Sequence, residues 1–397
     1  MPKLLAALGV HWLALPGIAL TALAMCYGIV AWLSVRLRPA EAARSPRIRP
    51  PVTILKPLCG AEQHLYDCLR SFCDQDYPRF QIVFGVSDPS DPALGIVRRL
   101  QKEFPGLDLD VAIDPRQRGS NRKVNNLINM MPLARYDYLV IADSDVCVER
   151  NYLNAVVTPL LDPRVGVVTC PYAGRPQPGP WSRLGSLFVN DWFMPSAHVA
   201  ARFGSRAFAF GATIALHREV LARAGGFAAI ADQLADDYRL GELTRQLGLR
   251  TVLSEAVIDT CIDESSLTDL VSHELRWLRT IRSVRPAGYS FAFLSFSLPV
   301  ALLGCIMAGG PPPALAMLAV TFGARLKLHS ATHEAPQSRA PLWALLVNDF
   351  LAFALWGLAF FTRRVQWRHM SYRVARGGAL EPIPPQPESL TATDPIH

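Results

Sequence analysis

Apolar and polar positions divide this chain into three regimes. Residues 13–35 form a run without a charged residue, rich in Ala, Leu and Val, and long enough for a hydrocarbon core of about 30 Å. Over residues 50–286, short β-branched runs alternate with stretches of helical period: "VTILKP" at 52, "QIVFGVSD" at 81, "LDVAID" at 109, "YLVIADSD" at 138 and "VGVVTCPY" at 165. That alternation predicts βαβ units and a mainly parallel sheet. Three more apolar stretches follow, at 289–308, 313–324 and 342–361. The expected organisation is an anchor at 1–36, a globular domain at 50–286 ending in an interfacial helix, a transmembrane region at 287–362 with about three helices, and a cytoplasmic or disordered tail at 363–397.

Composition supports a membrane protein. Half of the 397 residues are hydrophobic, more than a purely soluble enzyme carries. Arg36, Arg38, Arg44, Arg47 and Arg49 follow the first run, so it reads as an uncleaved anchor with the globular part on the cytoplasmic side. A signal peptide competes, but its apolar core is shorter and its basic residues come first. The last run holds Asn348 and Asp349 and is flanked by Arg363, Arg364 and Arg368. This flank conflicts with four simple crossings: either the 313–324 segment is re-entrant, or the charge rule fails at the last helix.

The net charge of +7 does not imply nucleic acid, because the basic residues gather beside membrane segments and no nucleic-acid motif is present. The eight cysteines contain no CxxC pair and no metal-type spacing and read as reduced, structural thiols of a cytoplasmic domain. A Pro-rich tract after Gly378 is expected to be disordered.

Candidate chemistry lies where strands end. Asp88, Asp143 and Asp145 each follow an apolar run, on the sheet edge where open α/β folds bind ligands. A dinucleotide fingerprint, a P-loop lysine motif, a GxSxG elbow and an HExxH helix are all missing from the sequence. D-x-D after a strand suits one carboxylate on Mg²⁺ or Mn²⁺ and a neighbour on a sugar hydroxyl; capping of a helix from Asn151 is the alternative. Asp236 and Asp237 open an amphipathic stretch with Leu240, Leu243 and Leu247 on one face, as a general base or as helix caps. In "SHELRWLRTIRSVRP", His273, Arg276, Trp277, Arg279 and Arg282 fit an interfacial helix, and Arg276 also fits a diphosphate clamp.

Together these motifs resemble the ceramide glucosyltransferase family of GT-A glycosyltransferases. That family has an aspartate ending the second strand, a mid-domain aspartate motif, a third aspartate before a helix, and (Q/R)xxRW; here Asp88, Asp143 with Asp145, Asp237, and Arg276-Trp277 match. "RKVNNL", "VLARAGGF" and "WRHMSYRVARGG" extend the likeness through the tail. His273 departs from the family pattern, and with the D-x-D form, "NDWFMPS" and "GSRAFAFGATIAL" it is more similar to a bacterial branch serving hopanoid biosynthesis.

The resemblance implies a Rossmann-like mixed sheet holding a UDP-sugar, with N-acetylglucosamine passed from UDP-N-acetylglucosamine to bacteriohopanetetrol at a bacterial inner membrane. It implies inversion, with Asp237 as base, Asp145 and Asp143 at a divalent metal, and Asp88, Lys123, Asp143, His273, Arg276 and Trp277 around the donor. Trp192, Phe193 and Asp236 are candidate acceptor contacts, although a short aromatic cluster such as Trp192 and Phe193 is more often plain core. Transfer of glucose to ceramide and a catalytically inactive nucleotide-sugar-binding scaffold remain open.

Overall fold

The computed structural model describes residues 12–37, 48–205, 208–333, 340–361, 364–367, 370–374 and 379–382. Arg38, Arg44, Arg47, Arg363, Arg368 and the tail after residue 382 lie outside them; the tract after Gly378, expected to be disordered, begins instead with a strand, Leu380–Pro382, paired antiparallel to Met370–Val374, which pairs in turn with Arg364–Trp367.

The five β-branched runs form strands, as their alternation predicts: β1 (Val52–Pro57), β2 (Phe80–Val86), β3 (Asp108–Ile113), β4 (Tyr138–Ala142) and, after the two-residue β5 (Val146–Cys147), β6 (Val165–Thr169). β3, β2, β1 and β4 pair in parallel in that order. Then β8 (Thr213–His217) enters antiparallel between β4 and β6, and β9 (Arg250–Leu253) closes the edge parallel to β6. The reversed strand makes the seven-stranded sheet mixed. Its central strands are buried along their length, which is why they read as unbroken apolar runs. A small second sheet holds β5, β10 (Ile258–Ile262) and β7 (Tyr172–Pro176).

Helices cover both faces. α2 (Leu65–Cys73) and α3 (Ala93–Glu103) bury Leu69, Phe72, Val97 and Leu100 against one face, while α4 (Arg122–Met130) sets Val124, Leu127 and Met130 against the other. Asn121 caps α4 by accepting from the Val124 amide at 3.1 Å, satisfying one of the donors a helix start leaves open.

Among the described residues one helix, α1 (Ala14–Arg36), is long and apolar enough to cross a membrane. The predicted 289–308 span is instead a bent pair, α11 (Pro286–Phe291) and α12 (Ser297–Met307), turned by 75° between them. The short segment at 313 is a complete helix, α13 (Pro312–Thr332), longer than the apolar run because its last turns carry Arg325 and His329. α14 (Leu342–Leu358) has 17 residues. Three C-terminal apolar helices are therefore present, but length and composition identify at most one further span besides α1, the bent pair. Large side chains such as Leu15, Leu23, Ile306, Leu315, Val320 and Trp343 stand exposed on these helices, an apolar surface that suits lipid.

α1 meets α12 at two glycines. A Cβ on Gly17 would stand 2.5 Å from the Gly304 carbonyl oxygen, and one on Gly304 would stand 2.6 Å from Thr21 Oγ1, the small-residue contact that lets membrane helices approach. A charged network joins this bundle to the globular domain. Arg325 donates from Nη1 to Asp191 at 3.0 Å and from Nε and Nη2 to Asp349 at 2.8 and 2.9 Å. His329 Nδ1, at 2.7 Å, and Thr332 Oγ1, at 2.8 Å, also contact Asp191, whose side chain is wholly buried. Asp191 lies in a π-helical turn, Phe188–Phe193, the helix irregularity that accumulates at special sites. The acidic residue near the start of the last apolar run is thus an ion-pair partner across helices.

Removing one member of a buried ion pair strands its partners. Arg325→Ala is expected to destabilise the protein by about 3–5 kcal/mol, read as a fall in the thermal unfolding midpoint in detergent, with Arg325→Lys retaining part of the loss. An unchanged midpoint would show the network to be dispensable.

Candidate active site

The site gathers at the carboxyl edge of the sheet, where β4 ends. Asp143 follows β4 directly, and its main-chain oxygen accepts from Lys56 Nζ at 2.5 Å. Its carboxylate contacts Lys123 Nζ, from the first turn of α4, also at 2.5 Å. Asp145 is fixed from the small sheet: Thr260 Oγ1 donates to its carboxylate at 2.9 Å and the Cys261 amide to its carbonyl at 3.1 Å. Helix α5 (Tyr152–Val157) starts at Asn151 without a side-chain cap, so the D-x-D pair does not serve as its cap.

Asp236 and Asp237 open α9 (Asp236–Gln246) and enter the same cluster. Asp236 lies 3.9 Å from Lys123 Nζ. Asp237 accepts from the amide of Tyr238 at 2.7 Å, one residue away, which is not the reach of a helix cap. Gly211 permits this crowding: a Cβ there would meet Asp237 Oδ2 at 3.0 Å, and its carbonyl accepts from Lys123 at 3.4 Å. On the buried face of α9, Leu240 is joined by Gly241 and Thr244, while Leu243 is only partly buried.

The electrostatics follow from packing four carboxylates around a buried lysine, Lys56, and a partly buried one, Lys123. Burial, then the charge of Asp236, pushes the Asp237 carboxyl up to about 7. Burial and the neighbouring Asp143 raise Asp145 as well. For Lys123, burial opposes the charge, but Asp143 and Asp236 outweigh it and hold the ammonium above its ordinary range. Burial lowers Lys56 to about 8 despite Cys68, Asp145 and Asp143 nearby.

The (Q/R)xxRW counterpart lies on α10 (Leu267–Val284), which Ser266 caps by accepting from the Asp269 amide at 3.1 Å. Burial lowers Arg276 while Asp145 and Asp143 act against that shift, placing its guanidinium within the field of the D-x-D pair. His273 Nδ1 contacts Glu264 at 2.6 Å, and Trp277 packs edge-on against Tyr172, Phe193 and His273. Trp192 stacks on Phe296 with ring centres 5.0 Å apart and donates from Nε1 to Ser295 at 2.8 Å. The aromatic pair therefore belongs to a continuous core between the globular domain and the apolar helices. Asp88 stands apart from the cluster: exposed beyond β2, it accepts from the Ser90 amide and hydroxyl at 2.8 and 2.6 Å, which lower its carboxyl. With β1 between β2 and β4, the two strand ends are about 10 Å apart.

Two residues of this site carry no motif. Lys56 is wholly buried, and it looks like an interior strand position; a lysine ending an apolar run beside an acidic edge was the available signal. Tyr172 is buried, and its hydroxyl is raised by burial and by Asp237, Asp143 and Asp145, so it forms a wall of the cluster.

An acidic strand edge on a mixed α/β sheet, with Arg276 in its field, suits the binding of a nucleotide-sugar, and the chain's relatives give its class. The profile of Glycosyl transferase family 21 matches residues 17–380, and the chain belongs to that family. It is 22% identical over 347 residues to "Ceramide glucosyltransferase 3" of Caenorhabditis elegans, covering 84% of this chain and 74% of that relative. A shorter match, 36% identical over 113 residues, covers 28% of this chain and 22% of the "Ceramide glucosyltransferase" of Komagataella phaffii. The fold is similar to a solved mannosyltransferase, PcManGT from Pyrobaculum calidifontis in complex with GDP-Man and Mn2+, with a TM-score of 0.56 and 24% identity, covering 88% of this chain and 99% of that one.

The tight fit at Gly211 is testable. Gly211→Ala is expected to lower kcat about tenfold to a hundredfold by displacing Asp237, with a smaller change in donor KM, measured as UDP release by the detergent-solubilised enzyme. An unchanged kcat would mean that Asp237 has room to move without consequence.

Proposed function

We propose that this glycosyltransferase transfers a sugar from a UDP-sugar to the hydroxyl of a membrane lipid, with inversion, Asp237 being the general base. The observation that carries this reading is the placement of Asp237 against Gly211, in the cluster of Lys123, Asp143 and Asp236, where burial pushes its carboxyl up to about 7. A base poised near the working pH combines a usable ionised fraction with enough basicity to take a hydroxyl proton.

Oxygen donors at the strand edge fit a hard divalent cation. Lys123 engages Asp143 Oδ1 and Thr260 engages Asp145 Oδ2, leaving Asp143 Oδ2 and Asp145 Oδ1 as ligands for Mg²⁺ or Mn²⁺. Such an ion, when bound, neutralises charge on a diphosphate. The chain's own residues do the rest. Asp88 and Lys123 hold the uridine and diphosphate ends, and Arg276 supplies positive charge as the diphosphate departs. Trp277, Tyr172 and Phe193 keep water from the sugar's C1, and Asp237 accepts the proton of the attacking hydroxyl. A departing diphosphate needs no protonation, so a second catalytic carboxylic acid is unnecessary, unlike glycoside hydrolysis.

The apolar helices give the acceptor its place. A bundle with exposed apolar side chains beside α10 suits a lipid that enters laterally from the cytoplasmic leaflet, past Trp192 and Phe193. For the substrates we infer N-acetylglucosamine and a hopanoid, bacteriohopanetetrol, at a bacterial inner membrane. His273, the D-x-D form and the "NDWFMPS" segment support that choice. The names of the relatives favour glucose and ceramide. An inactive scaffold fits poorly, because it has no use for a carboxyl raised to about 7 in a cluster with Lys123 and Asp143.

UDP release by the detergent-purified protein, with each donor paired with each acceptor and with or without Mg²⁺, tests the assignment. Release that requires UDP-N-acetylglucosamine and bacteriohopanetetrol is expected; release with UDP-glucose and ceramide alone would discard the hopanoid reading. Because only ionised Asp237 accepts a proton, kcat/KM should rise with pH through about 7 and level off above it. Asp237→Asn should lower kcat at least about a hundredfold and abolish that limb. The raised native carboxyl makes the stability contribution of Asp237 unfavourable as pH climbs from the ordinary carboxylate range through 7. The Asn variant should therefore be no less stable than the parent at pH 8. A destabilised but active variant would remove Asp237 from the role.

A further inference from the structure

Three cysteines far apart in sequence meet behind the D-x-D loop. Cys68 comes from α2, Cys147 from β5 and Cys261 from β10, and their sulfur atoms all lie within 4.8 Å of one another. Cys68 Sγ and Cys261 Sγ are 3.7 Å apart. This is the edge of a tetrahedron of sulfur ligands about 2.3 Å from a central ion, about 3.8 Å. His64 is a candidate fourth donor: it stands outside the 4.8 Å group of sulfurs, and its ring would turn toward them when an ion binds. His64 stands four residues before Cys68, one helical turn away on the same side of α2, and its Nε2 is buried with no hydrogen-bond partner among the described residues. It occupies the N-cap position of α2 without capping it, and its charge bears on the Cys261 thiol. A buried ring nitrogen without a partner is costly unless a ligand uses it.

We propose that Cys68, Cys147, Cys261 and His64 form a site for one thiophilic divalent cation of the Zn²⁺ class, distinct from the hard-cation site at Asp143 and Asp145. Three sulfurs and an imidazole are a four-ligand set of the structural, closed kind. Carboxylate and carbonyl oxygens serve the harder ions instead. The thiols release their protons to solvent on binding. Lys56, whose cation interacts with Cys68 and Cys147, and Arg175 beside Cys147 offset the negative charge of the thiolates. The consequence for the enzyme is mechanical. Cys147 stands two residues beyond Asp145, and Cys261 adjoins Thr260, which holds the Asp145 carboxylate. An ion shared by α2, β5 and β10 would pin the D-x-D loop from behind.

The test is titration of the full-length, reduced protein in detergent with Co²⁺ as spectroscopic probe, followed by Zn²⁺ competition. The expected result is one equivalent of Co²⁺ with a thiolate-to-cobalt charge-transfer band and tetrahedral d–d bands, displaced by Zn²⁺. Cys147→Ser should lose most of the charge-transfer intensity, and His64→Ala should weaken binding about tenfold, in the range of lost metal-site partners. Asp145→Asn should leave the thiolate band unchanged, separating the two cation sites. Absence of the band in the reduced parent protein would overturn the proposal, as would a band that survives in a Cys147→Ser/Cys261→Ser variant. A protein isolated with a Cys68–Cys261 disulfide that binds no Co²⁺ after reduction would overturn it in favour of redox pairing.

Discussion

Everything at the sheet edge depends on balancing negative charge that the fold has concentrated. Asp143, Asp145, Asp236 and Asp237 come from two separate elements, and Lys123 is the cation placed among them, 2.5 Å from Asp143 and 3.9 Å from Asp236. Each carboxylate taken from water carries a desolvation cost, and a cation in contact offsets it for some members but not for others. The imbalance is the useful part. Asp143 has its lysine, whereas Asp237 has the amide of Tyr238 and a like-charged neighbour and Asp145 has Thr260, so the two carboxyls without a cation at contact distance are both raised, Asp237 to about 7. A site with a second lysine beside Asp237 would be more stable and would have no base.

The same constraint recurs between the globular domain and the apolar helices. Asp191 and Asp349 are held by one guanidinium, and His329, Thr332 and His333 also contact Asp191. A guanidinium suits this because its planar set of donors reaches two carboxylates at once. The geometry ties α13 and α14 to the π-helical turn that also carries Trp192 and Phe193, so these aromatic side chains are positioned by the bundle. Charge placed inside an apolar region is expensive and persists where it fixes an arrangement that apolar packing alone leaves free to slide.

Much of this was legible in the sequence. The runs at 52, 81, 109, 138 and 165 became β1, β2, β3, β4 and β6, because buried parallel strands have no polar face to interrupt them. The aspartates at strand ends fell on one edge, as the crossover topology requires. The resemblance implied a mixed sheet, but which strand is reversed could not be read from the residues, since the five of β8 have the same apolar character whichever way they run. Trp192 and Phe193 could not be sorted between lipid contact and core from their composition, and the structure packs them against Phe296 and Trp277. The break between α11 and α12 was hidden because a continuous apolar run says nothing about a bend. The cysteine cluster was hidden for a related reason: ligands from α2, β5 and β10 have no common spacing, so a search for CxxC could not find them.

Lys56 connects these observations. Its ammonium lies 3.8 Å from the centre of the Phe72 ring and 2.5 Å from the carbonyl oxygen of Asp143, and it sits within the field of Cys68 and Cys147. One cation therefore faces the thiols on one side and the D-x-D loop on the other. An arginine would bring a planar fork too large for the place, and an apolar residue would leave the Asp143 carbonyl without its donor and the thiols without a counter-charge. Burial lowers this lysine to about 8, so its charge depends on the negative groups around it remaining in position. The back of the active site and its catalytic face are thus coupled through a single buried ammonium, which explains why a strand otherwise made of apolar residues ends in Lys56.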